Sequence, residues 1–327
     1  MKKMDIFRVW SRILQGYKPF LAVEITRECP LHCPGCYAYD DEHLNNGKTL
    51  RNSPELRGND LVEGVLELIR RHRPVHLSIV GGEPLLRQRE MDILLPQLDD
   101  MGLEVQCITS AVRLIPASWA RLANLHLVVS VDGLQPEHDL RRAPASYERI
   151  LDNIAGHSII VHCVILRPML ARPNYLRDFV SFWSSRKETR KIWFSLYTPQ
   201  QIEESEEKLT PRERAAAIKA IAQVAEHNPI VDASKMILDG YQNPPASPKD
   251  CIFAQTTTCI SSDLKTLVTP CQIGGQPVCS ECGCVASAGF ASIGRYKLAG
   301  LIKLGDIFAL SRWTGDMLHP GRGFNGS

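Results

Sequence analysis

The chain has 327 residues, 44% of them hydrophobic and 23% charged, which is ordinary for a globular protein and long enough to bury a large core. A formal net charge of +2 is too small to argue for nucleic-acid binding, and no apolar run approaches the roughly 20 residues that a membrane span needs. Met1 to Asp5 opens no apolar signal stretch, so the expected location is the cytoplasm; eleven cysteines clustered in two places then point to metal rather than to disulfides.

Along residues 1–20, Ile6, Phe7, Val9, Trp10, Ile13 and Leu14 lie close to one helical stripe, with Lys2, Lys3, Arg8 and Arg12 around it. An amphipathic N-terminal helix of this kind either packs across the body of the fold or makes peripheral contact with an anionic membrane surface.

From there, short apolar strand patterns at 21–26, 76–80, 104–109, 126–131, 159–166 and 191–197 alternate with helical patterns at 54–71, 90–101, 116–123, 147–155, 175–185 and 212–226. Thr210, Pro211 and Glu213 supply a cap, a first-turn proline and an acid three residues on. Strand-then-helix repetition predicts an α/β fold with a parallel sheet and helices outside. Six units rather than eight favour an open, partial (β/α)6 TIM-like barrel over 21–240.

The first strand runs into Cys29, Cys33 and Cys36, a CxxxCxxC loop. Three thiolates so spaced can each take one corner of a [4Fe-4S] cube, and one iron is then left without a protein ligand. Zinc is the competing reading, but His32 and His43 do not give the paired spacing of a structural zinc site. The second strand ends in Gly81, Gly82, Glu83 and Pro84, where glycines permit close backbone approach and Glu83 offers a carboxylate to an ammonium group.

In this order the two motifs resemble those of the radical S-adenosylmethionine (SAM) enzymes. The resemblance implies that the SAM amino and carboxylate groups chelate the open iron, that Gly81, Gly82 and Glu83 hold the methionine amino group, and that an electron from the cluster cleaves SAM to methionine and a 5'-deoxyadenosyl radical. Many relatives carry an aromatic residue just before the third cysteine; here that position is Gly35, and Tyr37 follows the cysteine.

At the end of the third strand, Thr109, Ser110 and Ala111 stand where relatives often have a Thr-Asn-Gly turn against SAM. Ser130 and Asp132, two apart at the end of the fourth strand, share a face suited to ribose or carboxylate contacts, or close the strand by turn chemistry. The resemblance assigns the SAM carboxylate to a basic residue just beyond, Arg142 ahead of Arg141. His162, Cys163, Ser195, Tyr197 and Cys107 are candidates for substrate contact or for ordinary core positions.

From about Tyr241 the composition shifts, and Gln242 to Pro248 reads as a linker to a small cysteine-rich C-terminal domain over 241–327 that holds Cys251, Cys259, Cys271, Cys279, Cys282 and Cys284. Residues 261–270 look like a hairpin ending at Cys271. This region resembles the SPASM and twitch extensions of radical SAM enzymes. The resemblance implies an auxiliary [4Fe-4S] cluster on Cys251, Cys271, Cys279 and Cys282, with Cys284 as substitute; the alternative is zinc on Cys271, Cys279, Cys282 and Cys284.

The functional expectation is thus a radical SAM enzyme that modifies an unactivated carbon of a peptide or small metabolite and draws electrons from a flavodoxin or ferredoxin, with no catalytic side chain assigned. Similarity of the cluster loop, the Gly-Gly-Glu-Pro-Leu-Leu turn and the N-terminal helix to adenosylhopane synthases makes a membrane lipid or terpenoid the alternative substrate. A non-catalytic Fe-S sensor or scaffold would leave the SAM turn unexplained.

Overall fold

The computed structural model describes residues 3–45, 47–298 and 300–320. Alternating aliphatic positions fold as strands: β1 (Phe20–Glu24), β2 (His76–Val80), β3 (Glu104–Thr109), β4 (Leu125–Ser130), β5 (Ile159–Ile165), β6 (Thr189–Leu196) and β7 (Thr257–Ile260). They form one parallel, unclosed sheet in the order β6-β5-β4-β3-β2-β1-β7. One alternate set, including Leu21, Val23, Leu77, Ile79, Cys107, Val129, Val161, Cys163 and Phe194, is fully buried under the helices. The other set includes the polar residues His76, Ser78, Gln106, Ser130, His162 and Ser195 among apolar ones such as Ala22, Val80, Val128 and Ile160, and by the two-residue period it lies on the opposite face of the sheet. Cys107 and Cys163 are therefore core residues.

The covering helices are α2 (Gly58–His72), α3 (Gln88–Asp100), α4 (Glu137–Arg141), α5 (Tyr147–Asn153), α6 (Arg167–Leu170), α7 (Tyr175–Ser184) and α8 (Pro211–His227), preceded by α1 (Lys3–Leu14) and followed by α9 (Lys235–Gln242), α10 (Ile252–Thr256), α11 (Val285–Arg295) and α12 (Leu304–Leu318). A two-stranded ribbon, β8 (Lys297–Leu298) and β9 (Ile302–Lys303), joins the last two. The capping box expected at α8 is complete, Thr210 and Glu213 each satisfying the other's backbone N–H. The helix expected over 54–71 starts only at Gly58, because Glu55 turns back to hold Thr26 and Arg27. Residues 116–123 supply only a 3-10 turn, Ala117–Arg121, pinned by buried Trp119 in the short stretch before β4.

Six strands are expected from sequence and seven are found. The seventh belongs to the cysteine-rich segment: β7 lies beside β1 with Ala22 paired to Cys259. The hairpin expected over 261–270 opens on this strand, where Val268 N–H donates to Cys259 O (2.9 Å) and Ile260 bridges Leu267. On the far edge, Ile192 N–H donates to Ile230 O (2.9 Å) and Leu196 N–H to Gly283 O (2.9 Å). Gly283 lies so close to β6 that a Cβ there would stand 2.0 Å from the Leu196 oxygen. The C-terminal segment thus covers both edges of the sheet, which would otherwise present unpaired backbone groups.

α1 packs against α12, with Ile13 buried and Trp10 donating to Ser311, while Phe7 and Leu14 are exposed. Lys2 and the side chains of Lys3 and Ile6 lie outside the described residues. Among the described residues no helix is long and apolar enough to cross a membrane.

Candidate active site

The two motifs meet through their backbones. Gly82 N–H donates to Thr26 O and Glu83 N–H to Glu28 O, both at 2.8 Å, so the turn after β2 lies flat on the segment that enters the cysteine loop. A Cβ on Gly82 would fall 2.0 Å from the Glu28 oxygen, which is why no other residue fits. Ion pairs fix the same segment from the side. Glu55 accepts from Thr26 Oγ1, Arg27 N–H, Arg57 and Arg87, and Arg87 also reaches Glu28 (2.9 Å).

From sequence, Glu83 is expected to bind an ammonium group. In the structure it is 1% exposed, and both its oxygens are engaged within the protein: Oε1 accepts from Leu85 N–H and Thr109 Oγ1, Oε2 from Ser110 N–H (2.8 Å) and Ser110 Oγ. Glu83 caps the 3-10 turn that opens at Pro84 and braces β2 against the end of β3. Thr109 and Ser110 are its donors.

Beyond β4, Asp132 is buried and accepts from both Arg141 and Arg142, the latter through Nε at 2.7 Å. Burial alone would raise the Asp132 carboxyl, but Arg142 and then Arg141 hold it well below the usual carboxylate range. Every nitrogen of Arg141 is engaged: Nε and Nη2 on Glu207 (2.7 and 2.8 Å), Nη1 on Asp132, and Nη2 also on the Pro34 carbonyl of the cysteine loop (2.8 Å). Arg142 uses only Nε, and its positive charge is felt at Cys33. Between the two candidates, Arg142 keeps terminal donors for a ligand and Arg141 clamps the loop. Ser130 lies opposite His162, whose Nε2 is 2.8 Å from Ser195 Oγ.

His138 sits beneath this cluster, fully buried, with Nδ1 accepting from Asp132 N–H (3.1 Å), so the ring is neutral. Burial first, and Arg142 second, push it down to about 4. His76 and His162 are also held at about 4, burial being the main cause for each. A folded pKa below the unfolded value near 6.5 contributes stability above pH 6.5 that is lost as the pH falls toward 4. Urea denaturation stepped from pH 7.5 to 4.5 should show stability declining by about 1 kcal/mol per pH unit for each such ring below pH 6.5. A flat profile would mean these rings titrate normally in the folded chain.

Cys29, Cys33 and Cys36 are unpaired thiols on a half-buried loop. Burial is the largest cause of the rise at each, taking Cys29 to about 12. Such thiols stay protonated until a metal cation reverses the balance. Cys33 and Cys36 form part of the wall of a cavity of about 340 Å³, whose other walls include Tyr39, Asp40, Tyr197, Gln200, Glu203 and Ile273. Tyr197 donates to Glu203 across its rim. Gly35 faces the Tyr197 hydroxyl, 3.0 Å from where a Cβ would be.

In the C-terminal segment Cys282 is central: its charge would be felt at Cys271, Cys279 and Cys284, and Cys251 is felt at Cys282. Burial, then Cys282, lifts Cys284 to about 12 and Cys279 to about 11. Cys251 Sγ lies 3.4 Å from Ser287 Oγ. Cys259 packs with Ala22, Leu44 and Val268, and its charge would also be felt at Cys271. Arg214 of α8 donates to the carbonyls of Tyr241, Glu281 and Cys282, which fixes the 279–284 loop on the helix layer.

Sequence reasoning passed over Glu55, Arg87 and Arg214. Arg214 did leave a signal, an arginine in register with Ala217, Ile218 and Ile221 on the buried stripe of α8. It also passed over the pairing of His43 Nε2 with Glu24 (2.6 Å), buried between the cysteine loop and the carbonyl of Ile273.

Residues 23–165 match the family model described as the radical SAM superfamily. Among curated proteins, 7-carboxy-7-deazaguanine synthase of Hyperthermus butylicus is 34% identical over 102 residues, 31% of this chain and 39% of that one. PqqA peptide cyclase of Bradyrhizobium diazoefficiens is 26% identical over 234 residues, 67% of this chain and 55% of that one. The chain therefore matches about two fifths and just over half of these relatives' lengths. Among solved structures, SuiB of Streptococcus suis bound to precursor peptide SuiA superposes with a TM-score of 0.56 over 98% of this chain and 70% of that chain, at 15% identity. Native anSMEcpe with bound AdoMet superposes with a TM-score of 0.53 over 90% of this chain and 84% of that chain, also at 15% identity. These two likenesses are of fold, and they agree with the open parallel sheet. With the ordered cysteine loop and glycine turn built on that sheet, residues 23–165, somewhat under half of the chain, are similar to the radical SAM superfamily.

Proposed function

We propose that this chain cleaves SAM reductively at a [4Fe-4S] cluster held by Cys29, Cys33 and Cys36, and modifies an unactivated carbon of a peptide or small metabolite. The observation that carries the reading is the cavity into which Cys33 and Cys36 open, closed on its far side by Ile273 from the cysteine-rich segment. When bound, the cluster supplies the electron that opens the sulfonium. Three free thiols in eight residues, raised by burial and waiting for a cation, fit that group. Arg142 takes the SAM carboxylate with its terminal nitrogens, Ser130 faces the ribose side, and the Gly81–Gly82 turn offers backbone to the amino group. Arg141 keeps the loop in place through Pro34. At about 340 Å³ the cavity falls in the size range of small-molecule sites and admits a metabolite or one side chain of a peptide. PqqA peptide cyclase and peptide-bound SuiB favour the peptide, and 7-carboxy-7-deazaguanine synthase the metabolite. A flavodoxin or ferredoxin supplies the electron.

Residues 241–327 are read as a SPASM- or twitch-like module with an auxiliary [4Fe-4S] cluster on Cys251, Cys271, Cys279 and Cys282, or with Cys284 in place of one of them. Among the described residues no three His, Cys, Asp or Glu side chains are drawn together as tightly as one ion requires.

Anaerobic reconstitution, iron, sulfide and zinc analysis, and chromatography after adding dithionite and SAM test both parts. About eight irons with deoxyadenosine are expected. Replacing Cys271 by Ala should lower iron to about four while some SAM cleavage persists. Unchanged iron in that variant, or zinc in the wild type, would remove the auxiliary cluster and leave the first proposal standing.

A further inference from the structure

α12 is oriented the wrong way round for a core helix. Its buried positions are Ser311 and Gly315, and a Cβ on Gly315 would lie 2.3 Å from the Ile13 carbonyl oxygen of α1. Leu304, Ile307 and Phe308 are partly buried, but Leu310, Trp313 and Met317, at 62%, 60% and 63% exposure, recur every three or four residues along one stripe. On α1, Phe7 and Leu14 are likewise exposed on either side of Trp10, the residue that bonds α12. The β8–β9 ribbon leads directly into α12 and carries Leu301 at its tip, 84% exposed, followed by exposed Ile302. Exposed apolar residues singly are ordinary, but a set on two packed helices and the adjoining ribbon marks a contact surface.

The charges beside it are mainly positive, exposed Asp306 in the first turn of α12 being an acid on the stripe. Lys297 and Lys303 face each other directly across the ribbon, an arrangement that destabilises an isolated sheet. Arg8 and Arg12 flank the α1 stripe, and Arg12 also lies near Arg73, which follows Arg70, Arg71 and His72 at the end of α2. Burial, then Arg73 and Arg8, lowers the pKa of Arg12, the mark of like charges held together.

We propose that the face formed by α1, the β8–β9 ribbon and α12 docks on an anionic lipid bilayer, with the apolar stripe entering the headgroup boundary and the lysines and arginines meeting lipid phosphates. A second copy of the chain is the poorer occupant, because it would bring the same positive charges into opposition. This inference is independent of the substrate and of the auxiliary cluster.

The test is co-sedimentation of the reconstituted full chain with vesicles of phosphatidylcholine alone and of phosphatidylcholine with phosphatidylglycerol. The chain should bind the anionic vesicles, leave the neutral ones, and be released by high salt, a readout that needs no variant. Replacing Lys297 and Lys303 together by Gln should weaken partitioning roughly 30-fold, and Trp313→Ser should weaken it with iron content and thermal stability unchanged. Absence of binding, or equal binding to both vesicles, would overturn the proposal. So would a concentration-dependent dimer in light scattering that Trp313→Ser abolishes, which would assign the face to a second copy.

Discussion

Replacing Cys33 by Ala should reduce deoxyadenosine formation to background. Cys33 and Cys36 both lie within the influence of Arg142 and both open on the cavity, and Cys33 also feels Asp132. Its loss removes a ligand that no neighbour can replace, since Arg141 and the Gly82 contact hold the loop backbone where it is. The fold should survive, because the thiol belongs to neither buried cluster of the core. Anaerobic chromatography of the dithionite reaction measures it, with circular dichroism as the control. Deoxyadenosine at the wild-type rate in this variant would sink the assignment of the loop as the site of SAM cleavage.

Replacing Asp132 by Ala should cost about 3–5 kcal/mol of stability, the usual penalty for leaving buried charge without its partner. Two guanidinium groups lose their common acceptor at once, and among the described residues Asp132 is the one hydrogen-bond partner of the Arg142 side chain. Arg141 keeps Glu207 and Pro34, so the damage should centre on Arg142. Urea midpoints at pH 7.5 measure the loss, and Asp132→Asn, which keeps an acceptor oxygen, should recover part of it. A loss below about 1 kcal/mol, the worth of an exposed pair, would show that water already solvates these arginines.

The strands of the barrel were legible because a sheet with one face packed under helices places aliphatic residues at every second position, and 76–80 and 104–109 were found with the bounds the structure has. The cysteine loop was legible because its ligands are held by covalent spacing. What sequence did not disclose is long-range. Glu55 meets Arg87 across 32 residues and Arg214 meets Cys282 across 68, pairings that no local period encodes. β7 was missed for a different reason: Thr257, Thr258 and Cys259 make a short, weakly apolar run that becomes a strand because the open edge of β1 is there to receive it. Glu83 is another long-range case, its carboxylate accepting from Thr109 and Ser110 at the end of the next strand, which the local motif does not encode.

That seventh strand also bears on how electrons would travel. A cysteine-rich module tethered by a flexible linker would have to swing toward the barrel before it could exchange an electron, and its rate would slow in viscous solvent. Here β7 is hydrogen-bonded along β1, the strand that feeds the cysteine loop, and Gly283 is locked to β6. A metal held by the C-terminal thiols would therefore be tied to the cysteine loop through the sheet itself, and any transfer between the two sites should be indifferent to added glycerol.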